Sequence, residues 1–181
     1  MALSTSPISH VRILSFDTGT ANTGYSVLDG DVPSRSIRLF SSGMIRTKKT
    51  SEGPSDVRAR IDYIGEQFKA LVKQFKPSHV VCEDFTEQGK YVGKTYKEMA
   101  WMTEHFRLLG REMGYDVIIY ENGYWKKKTL GAARASKKQV DHYVRHKLAG
   151  MLPDKMSVHI IDSIGIGLCL WKEILDRGNE R

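Results

Sequence analysis

The sequence has 181 residues, 40% of them hydrophobic, which is enough for one folded domain with a sizeable core and too little for two large ones. Lysine and arginine number 28 against 21 aspartate and glutamate, and the net charge of +7 favours a polyanionic partner. The cysteines Cys82 and Cys169 lie in apolar runs, and we expect both to be reduced. The sequence shows neither a signal-peptide pattern nor an apolar run of membrane-spanning length, so we expect a protein that is neither secreted nor membrane-bound.

The first part of the chain predicts three consecutive strands after a polar lead-in over residues 1–10. Each strand is a short apolar run, and polar or glycine-containing segments separate the runs. We interpret Asp29-Gly30 as the turn that follows the second strand. Because the connections are short, the three strands are expected to form an antiparallel meander. They are predicted at residues 11–19, 23–30 and 36–47.

The remainder of the chain alternates helices with strands. Apolar residues recur at spacings of three and four from Asp56 to Phe75, which is the period of one helical face. A short apolar strand between two helices is expected to be parallel to its neighbours and buried. The order predicts a single α/β domain over residues 11–181, with a five-stranded mixed sheet flanked by helices. The predicted elements are a helix at 56–75, a strand at 79–85, a helix at 91–113, a strand at 116–122, and helices at 136–148 and 158–175.

Acidic side chains lie at the ends of three apolar runs. Asp17 ends the first strand, Glu83 lies at the end of the fourth, and Asp162 lies near the start of the apolar final helix. His159 precedes Asp162 by three residues, so a helix presents both on one face. If the first and fourth strands are neighbours, three carboxylates and an imidazole meet around one small space.

Such a cluster of carboxylates favours divalent metal ions. Carboxylates packed together repel one another unless a cation lies between them, and oxygen-rich sites suit magnesium or manganese. Two such ions about 4 Å apart can activate a water and stabilise the leaving oxygen in phosphodiester hydrolysis. Each residue also has an ordinary structural explanation. Asp17 could hydrogen-bond the turn that follows it, and Glu83 and Asp84 could be exposed acids at the end of a strand. Asp162 could interact with the dipole of its helix, and His159 could have a purely structural role.

Most of the positive charge is concentrated between residues 121 and 150. This segment holds eight lysines and arginines and two acids, so its net charge is +6. Six of the basic residues flank what we interpret as a flexible Gly/Ala loop, and Tyr124 and Trp125 lie beside them. Aromatic rings among lysines, and a loop able to approach a nucleic-acid backbone, favour phosphate contacts over an ordinary solvated helix face. The six residues are Lys126, Lys127, Lys128, Arg134, Lys137 and Lys138.

Four of these segments resemble, in the same order, the motifs of the RuvC-type Holliday junction resolvases, which have the ribonuclease H-like fold. The resemblance extends from Val11 to Trp171. The segment around Asp17 reads ILSFDTGTANTGYSV, and the strand with Glu83 reads HVVCEDF. The basic segment contains KKKTLGAARASKKQV, and the final helix contains HIIDSIGIGLCLW.

The resemblance implies a catalytic centre that binds Mg²⁺, or Mn²⁺ in its place, with two ions per site. The catalytic and metal-binding residues would be Asp17, Glu83, His159 and Asp162. The final helix carries Ser163, Gly165 and Gly167 where the family favours alanine, which keeps the residues small but lowers helix propensity.

The resemblance also implies the substrate and the assembly. The six basic residues would contact DNA, with Lys126 and Lys137 at the family's two basic positions near the scissile strand. Phe85 is the candidate aromatic residue at the crossover, although it is offset from the family's spacing. The expected activity is symmetric resolution of four-way DNA junctions by a homodimer, in cytoplasm or nucleoid, a DNA-containing organelle or a virus-infected cell.

Three other functions remain open from the residues alone. Asp17-Thr18-Gly19-Thr20 matches the start of the phosphate loop of ATP-binding actin and Hsp70-like proteins, but that fold encloses its nucleotide between two domains. A related nuclease acting on flaps or RNA–DNA hybrids would use the same metal chemistry. A catalytically silent junction-binding protein would not need all four site residues.

Overall fold

The computed structural model describes residues 9–84 and 94–179, and these residues form a five-stranded sheet with helices on both faces. The strands are β1 (His10–Asp17), β2 (Asn22–Asp31), β3 (Ser36–Arg46), β4 (His79–Asp84) and β5 (Val117–Glu121). Their order in the sheet is β3-β2-β1-β4-β5, which places β1 in the centre. The first three strands pair antiparallel, and β1, β4 and β5 run parallel to one another. The predicted sheet is therefore confirmed.

The helices form two layers that bury opposite faces of this sheet. They are α1 (Pro54–Phe75), α2 (Lys94–Glu112), α3 (Asn122–Leu130), α4 (Lys137–Lys147) and α5 (Val158–Asn179). Since side chains alternate along a strand, Ile13 packs with α3, α4 and α5, whereas Leu14 and Phe16 pack with α1 and α2. On that second face, Phe16, Phe68 and Phe106 form an aromatic cluster with ring centroids 4.6 to 5.4 Å apart.

The middle of the final helix is deeply buried. Its residues from 161 to 171 are all buried, and it packs across β1 and β2. Gly30 permits this contact, because a Cβ atom there would lie 2.5 Å from the Trp171 ring. The helix ends at Asn179 rather than near residue 175.

One prediction about local structure is wrong, and one helix was not predicted. Asp29-Gly30 is not a turn, because both residues lie inside β2 and Asp29 pairs there with Arg12 of β1. The unpredicted helix is α3, which follows β5 directly and carries the lysines at 126–128, and the Gly/Ala segment at 131–136 that follows it is a loop, as expected. This short helix has no apolar stripe and no side-chain cap at Glu121, and its sequence signals are confined to its end, where lysines precede Gly131.

Two further parts of the predictions cannot be compared with the fold. Phe85 and the predicted helix start at 91–93 lie outside the described residues. Within residues 9–84 and 94–179, every helix is too short or too polar to span a lipid bilayer.

Candidate active site

The carboxyl ends of two central strands bring Asp17 and Glu83 together. Phe16 of β1 pairs with Cys82 of the parallel strand β4, so the next residue of each strand reaches the same edge of the sheet. The two carboxyl groups are close enough for Asp17 to raise the pKa of Glu83, and Asp17 is only 8% exposed. The arrangement expected from neighbouring first and fourth strands is therefore present.

Hydroxyl side chains hold the turn that follows Asp17. The Thr23 hydroxyl donates to the Gly19 carbonyl at 2.8 Å, and the Gly19 amide donates back to that hydroxyl at 3.3 Å. The Thr18 hydroxyl donates to the backbone carbonyl of Glu83 at 3.1 Å. These hydrogen bonds stabilise the turn after Asp17 internally and also connect it to β4.

The first turn of α5 places His159 against Asp17. The His159 ring nitrogen Nδ1 lies 2.6 Å from Oδ2 of Asp17. Gly24, which pairs with Asp17 across β1 and β2, makes the approach possible, because a Cβ there would lie 2.2 Å from the His159 carbonyl oxygen. One turn further along α5, the Asp162 carboxylate accepts a hydrogen bond from Lys137 Nζ at 3.2 Å.

The pKa values of the site residues reflect burial of several acids together. Burial and the neighbouring Asp17 carboxylate raise the pKa of Glu83, despite donors that favour its charged form. Burial and the charge of Asp17 also raise the pKa of Asp162, with Lys137 acting in the opposite direction. The hydrogen bond to Asp17 raises the pKa of His159. The site therefore carries more negative charge than its surroundings readily accommodate.

Two residues that sequence analysis did not select contact Glu83. The Asn122 side-chain amide and the Trp125 indole nitrogen both donate to Glu83 Oε1, the indole at 3.3 Å. Both donors lie in the first turns of α3, which the sequence did not predict. The only available signal was a tryptophan next to lysines, which we attributed to DNA contact.

Asp84 faces away from this cluster. As the next residue of β4 after Glu83, it points to the opposite face of the sheet. There its carboxylate accepts a hydrogen bond from the Thr103 hydroxyl of α2 at 3.4 Å. Asp84 is therefore not among the residues that surround Asp17.

The six basic residues of the 126–138 segment occupy different environments. Lys137 contacts Asp162 while its side chain remains 62% exposed, and Lys126 Nζ lies 5.3 Å from the centroid of the Trp125 ring. Lys128 instead forms an ion pair with Asp176 at 3.0 Å, on the side of α5. The other three are exposed; they are Lys127, Arg134 and Lys138.

The donor set suits a hard divalent cation. Three carboxylates and an imidazole gather at one edge of the sheet, and Asp17 is close enough to Glu83 and Asp162 to raise the pKa of both. Within the described ranges, however, no three His, Cys, Asp or Glu side chains converge closely enough to form a complete metal site. Two of the carboxylates have cationic or imidazole partners instead, Asp162 contacting Lys137 and Asp17 contacting His159.

Comparisons with known proteins agree with this fold. The chain is 27% identical over 158 residues to the crossover junction endodeoxyribonuclease RuvC of Campylobacter curvus, covering 87% of this chain and 94% of that protein. The structure of Thermus thermophilus RuvC in complex with a Holliday junction substrate matches with a TM-score of 0.74 and 20% identity, over 92% of this chain and 96% of that one. The yeast mitochondrial Holliday junction resolvase Ydc2 matches with a TM-score of 0.62 and 13% identity, over 92% and 81% of the two chains.

The mixed sheet and its helical layers define a protein of the ribonuclease H-like fold. The sequence profile described as "Crossover junction endodeoxyribonuclease RuvC" matches residues 13–170, a range that includes Asp17, Glu83, His159 and Asp162. The chain belongs to this family, and it is therefore a nuclease that acts on DNA crossover junctions. Such family membership also makes it a metal-dependent enzyme.

Proposed function

We propose that Asp17, Glu83, His159 and Asp162 form the catalytic centre with which this nuclease hydrolyses phosphodiester bonds of four-way DNA junctions. The observation that supports the proposal most directly is the meeting of these side chains from three separate elements, β1, β4 and α5, at one edge of the sheet. A purely structural explanation of each acid leaves unexplained why three carboxylates are buried side by side at a cost in electrostatic energy.

The metal would be Mg²⁺, with Mn²⁺ as a substitute, and two ions would bind per site. Asp17 would be the shared ligand, and Glu83, His159 and Asp162 would be the further ligands. When bound, the ions would supply an activated water and stabilise charge on the attacking and leaving oxygens. The oxygen-rich donor set and the raised pKa of Glu83 beside Asp17 support this assignment.

The protein side chains would also bind and transfer protons at the site. When His159 Nδ1 carries a proton, it donates to Asp17, and this hydrogen bond fixes the orientation of the imidazole. The other ring nitrogen, Nε2, is then the one that can accept a proton from water or contact an ion. Lys137 holds Asp162 in place and brings a positive charge to the edge where a phosphate would lie.

The exposed basic residues next to the site would bind the DNA backbone. Lys137 contacts Asp162 directly, and Lys126 is close enough to lower the pKa of the same carboxyl group. Lys127, Arg134 and Lys138 extend the positive surface along α3 and the start of α4. Lys128 contributes less, because Asp176 already neutralises its charge. The role of Phe85 at the crossover remains part of the proposal.

A homodimer would place two such sites on one junction. The helical layer on the far side of the sheet from α5 exposes three large apolar side chains, Tyr63 of α1 and Trp101 and Leu108 of α2, each 45 to 51% exposed. Two of them border a shallow groove of about 250 Å³ between α1 and α2. An apolar surface of this kind is typical of an interface between subunits.

Residues 11–181 would form one nuclease domain, and it would act in the compartment that contains the DNA of the host.

The decisive experiment compares Asp17→Asn with Asp116→Asn, which makes the same chemical change at the exposed opposite end of the sheet. Four-way, flap, RNA–DNA hybrid and duplex substrates are incubated with each protein, with and without Mg²⁺. We expect Asp17→Asn to bind the four-way junction normally and to cleave it at least about 1,000-fold more slowly. Cleavage of the junction by Asp17→Asn at the wild-type rate would falsify the proposed centre, and preferred cleavage of flaps or hybrids by the wild type would reassign the substrate.

A further inference from the structure

One oxygen of Glu83 accepts hydrogen bonds from two side chains of the same helix. The Asn122 amide and the Trp125 indole nitrogen both donate to Oε1. A carboxylate has two oxygens, so this arrangement leaves Oε2 free of both donors. The two bonds come from residues three positions apart, which a helix presents on one face.

The surroundings of Trp125 restrict the position of its ring. Trp125 is completely buried, and it is the largest side chain of the core with no exposure. Its ring passes over α5 at Gly165, where a Cβ atom would lie 2.8 Å from ring atom Cζ3 and 3.3 Å from Cη2. The absence of a side chain at Gly165 therefore makes room for the outer, six-membered part of the indole.

We propose that Asn122 and Trp125 are positioning residues that hold Glu83 by Oε1 and thereby reserve Oε2 for a divalent cation shared with Asp17. Because Gly165 has no side chain, it leaves room for the Trp125 ring to reach Glu83. The inference rests on the proposed function, because it assigns Glu83 to the metal. It adds a role for α3 beyond presenting lysines to DNA.

The physical reason is the freedom of a glutamate side chain. Glu83 has three rotatable side-chain bonds, and beside Asp17 its carboxylate experiences repulsion that favours rotation away from the site. Two donors on one oxygen oppose this rotation and define which oxygen remains available. Residues that orient a ligand in this way commonly change metal affinity or activity by about 10- to 100-fold when they are replaced.

Trp125 also connects Glu83 with the basic surface. Lys126 Nζ lies 5.3 Å from the centroid of the same indole ring. A displaced ring would therefore disturb both the carboxylate and the neighbouring lysine. Measurements of metal binding without DNA separate the first effect from the second.

The experiment compares Trp125→Phe with Trp171→Phe. Both changes shrink a buried tryptophan, but Trp171 packs on Gly30 at the other end of the sheet, where its replacement leaves Glu83 untouched. Mn²⁺ affinity is measured by calorimetry without DNA, together with thermal unfolding and metal-free junction binding. We expect Trp125→Phe to weaken Mn²⁺ binding by about 10-fold or more. Trp171→Phe should retain wild-type Mn²⁺ affinity.

Asn122→Ala provides an independent measurement, because the half-buried asparagine contributes little core volume. It should weaken Mn²⁺ binding in the same direction as Trp125→Phe while unfolding at close to the wild-type temperature. Wild-type Mn²⁺ affinity in both Asn122→Ala and Trp125→Phe would overturn the inference. An equal loss in Trp171→Phe would also overturn it, since the effect would then follow from lost packing.

Gly165→Ala tests the space beneath the ring. In the wild-type background the added methyl group collides with the indole, so we expect Mn²⁺ affinity and the unfolding temperature to fall. In the Trp125→Phe background the outer ring atoms are absent, and the same change should have little further effect. Equal losses in the two backgrounds would contradict the proposed contact.

Asp17→Asn separates failure of this inference from failure of the proposed function. If Asp17→Asn loses Mn²⁺ binding and cleavage whereas Asn122→Ala and Trp125→Phe retain both, only the positioning role is wrong. If Asp17→Asn also behaves as the wild type, the metal centre itself is misassigned.

Discussion

The two ends of the sheet both bury acids, but they balance the charge of those acids differently. At one end, the side chain of Asp29 is 2% exposed and accepts two hydrogen bonds from Arg12 at 2.6 and 3.0 Å. Arg38 adds a third contact at 3.3 Å, and His10 lies 3.8 Å away. At the other end, three carboxylates share only Lys137 and His159 as direct cationic partners among the described residues.

The pKa values of the two groups move in opposite directions. Burial of Asp29 opposes its ionisation, but the hydrogen bond and charge of Arg12 outweigh this effect and lower its pKa. Burial and mutual repulsion raise the pKa of Glu83 and Asp162. A buried acid paired with arginines keeps its charge without a further cation, whereas a group of acids with too few cations is suited to bind one.

Glu83→Gln should produce the largest change in activity. We expect junction cleavage to fall at least about 1,000-fold, because the amide cannot replace a carboxylate as a cation ligand. The unfolding temperature without divalent ions should stay the same or rise, since one repulsive charge is lost. Cleavage assays and thermal unfolding measure the two effects. A destabilised but active variant would mean that Glu83 resembles Asp29 in its role.

Asp29→Asn should show the reverse pattern. Removing one partner of a buried ion pair costs about 3–5 kcal/mol when both partners are buried. Because the Arg12 side chain is 29% exposed, we expect a smaller loss of about 2–3 kcal/mol in the free energy of unfolding. Junction cleavage at a temperature well below unfolding should remain at the wild-type rate. Urea denaturation provides the stability, and an unchanged midpoint would contradict the structural role of the cluster.

The two ends should also respond oppositely to pH. Repulsion and burial raise the pKa of Glu83 to about 8, so the folded state holds its proton more tightly than the unfolded state. Its contribution to stability is therefore greatest at low pH and is lost as the pH rises from about 5 to about 8. The lowered pKa of Asp29 gives stability at neutral pH that is lost as the pH falls below about 4.

Urea denaturation across this range, without divalent ions, measures these contributions. Glu83→Gln should flatten the decline between pH 5 and 8, and Asp29→Asn should flatten the decline below pH 4. An identical pH profile of stability for Glu83→Gln and the wild type would show that Glu83 is not a group whose pKa burial and repulsion raise.

Lysine substitutions on α3 should produce the smallest effects. They should distinguish a lysine charge that is available to DNA from one that is already paired with an acid. Lys126→Ala removes a phosphate contact, so the slope of junction affinity against salt concentration should fall by about 1 in magnitude. Lys128→Ala is the matched control, because Asp176 already pairs with this lysine. Filter binding in the absence of metal from low to moderate salt gives both slopes. If the two variants change the slope equally, the ion pair with Asp176 does not reduce DNA contact.

Much of the fold was predictable because the local signals were strong. The apolar period of three and four predicted α1, and its structure begins at Pro54, within two residues of the predicted start. The short connections between the first three strands predicted their antiparallel pairing, which is confirmed. By contrast, Asp29-Gly30 has the composition of a turn, and only the pairing of Asp29 with Arg12 and the contact of Gly30 with Trp171 show why it lies inside a strand.

The sequence by itself determined which chemistry was available: three acids and a histidine at the ends of apolar runs, and a lysine-rich segment before the last helices. Such signals are local, since they depend on residue type and on spacing within one element. Only the tertiary structure decided that Asn122 and Trp125 contact Glu83, that Gly24 admits His159, and that Lys128 pairs with Asp176. These contacts join residues at least 39 positions apart, and chain segments so distant meet only once the sheet and both helical layers have packed.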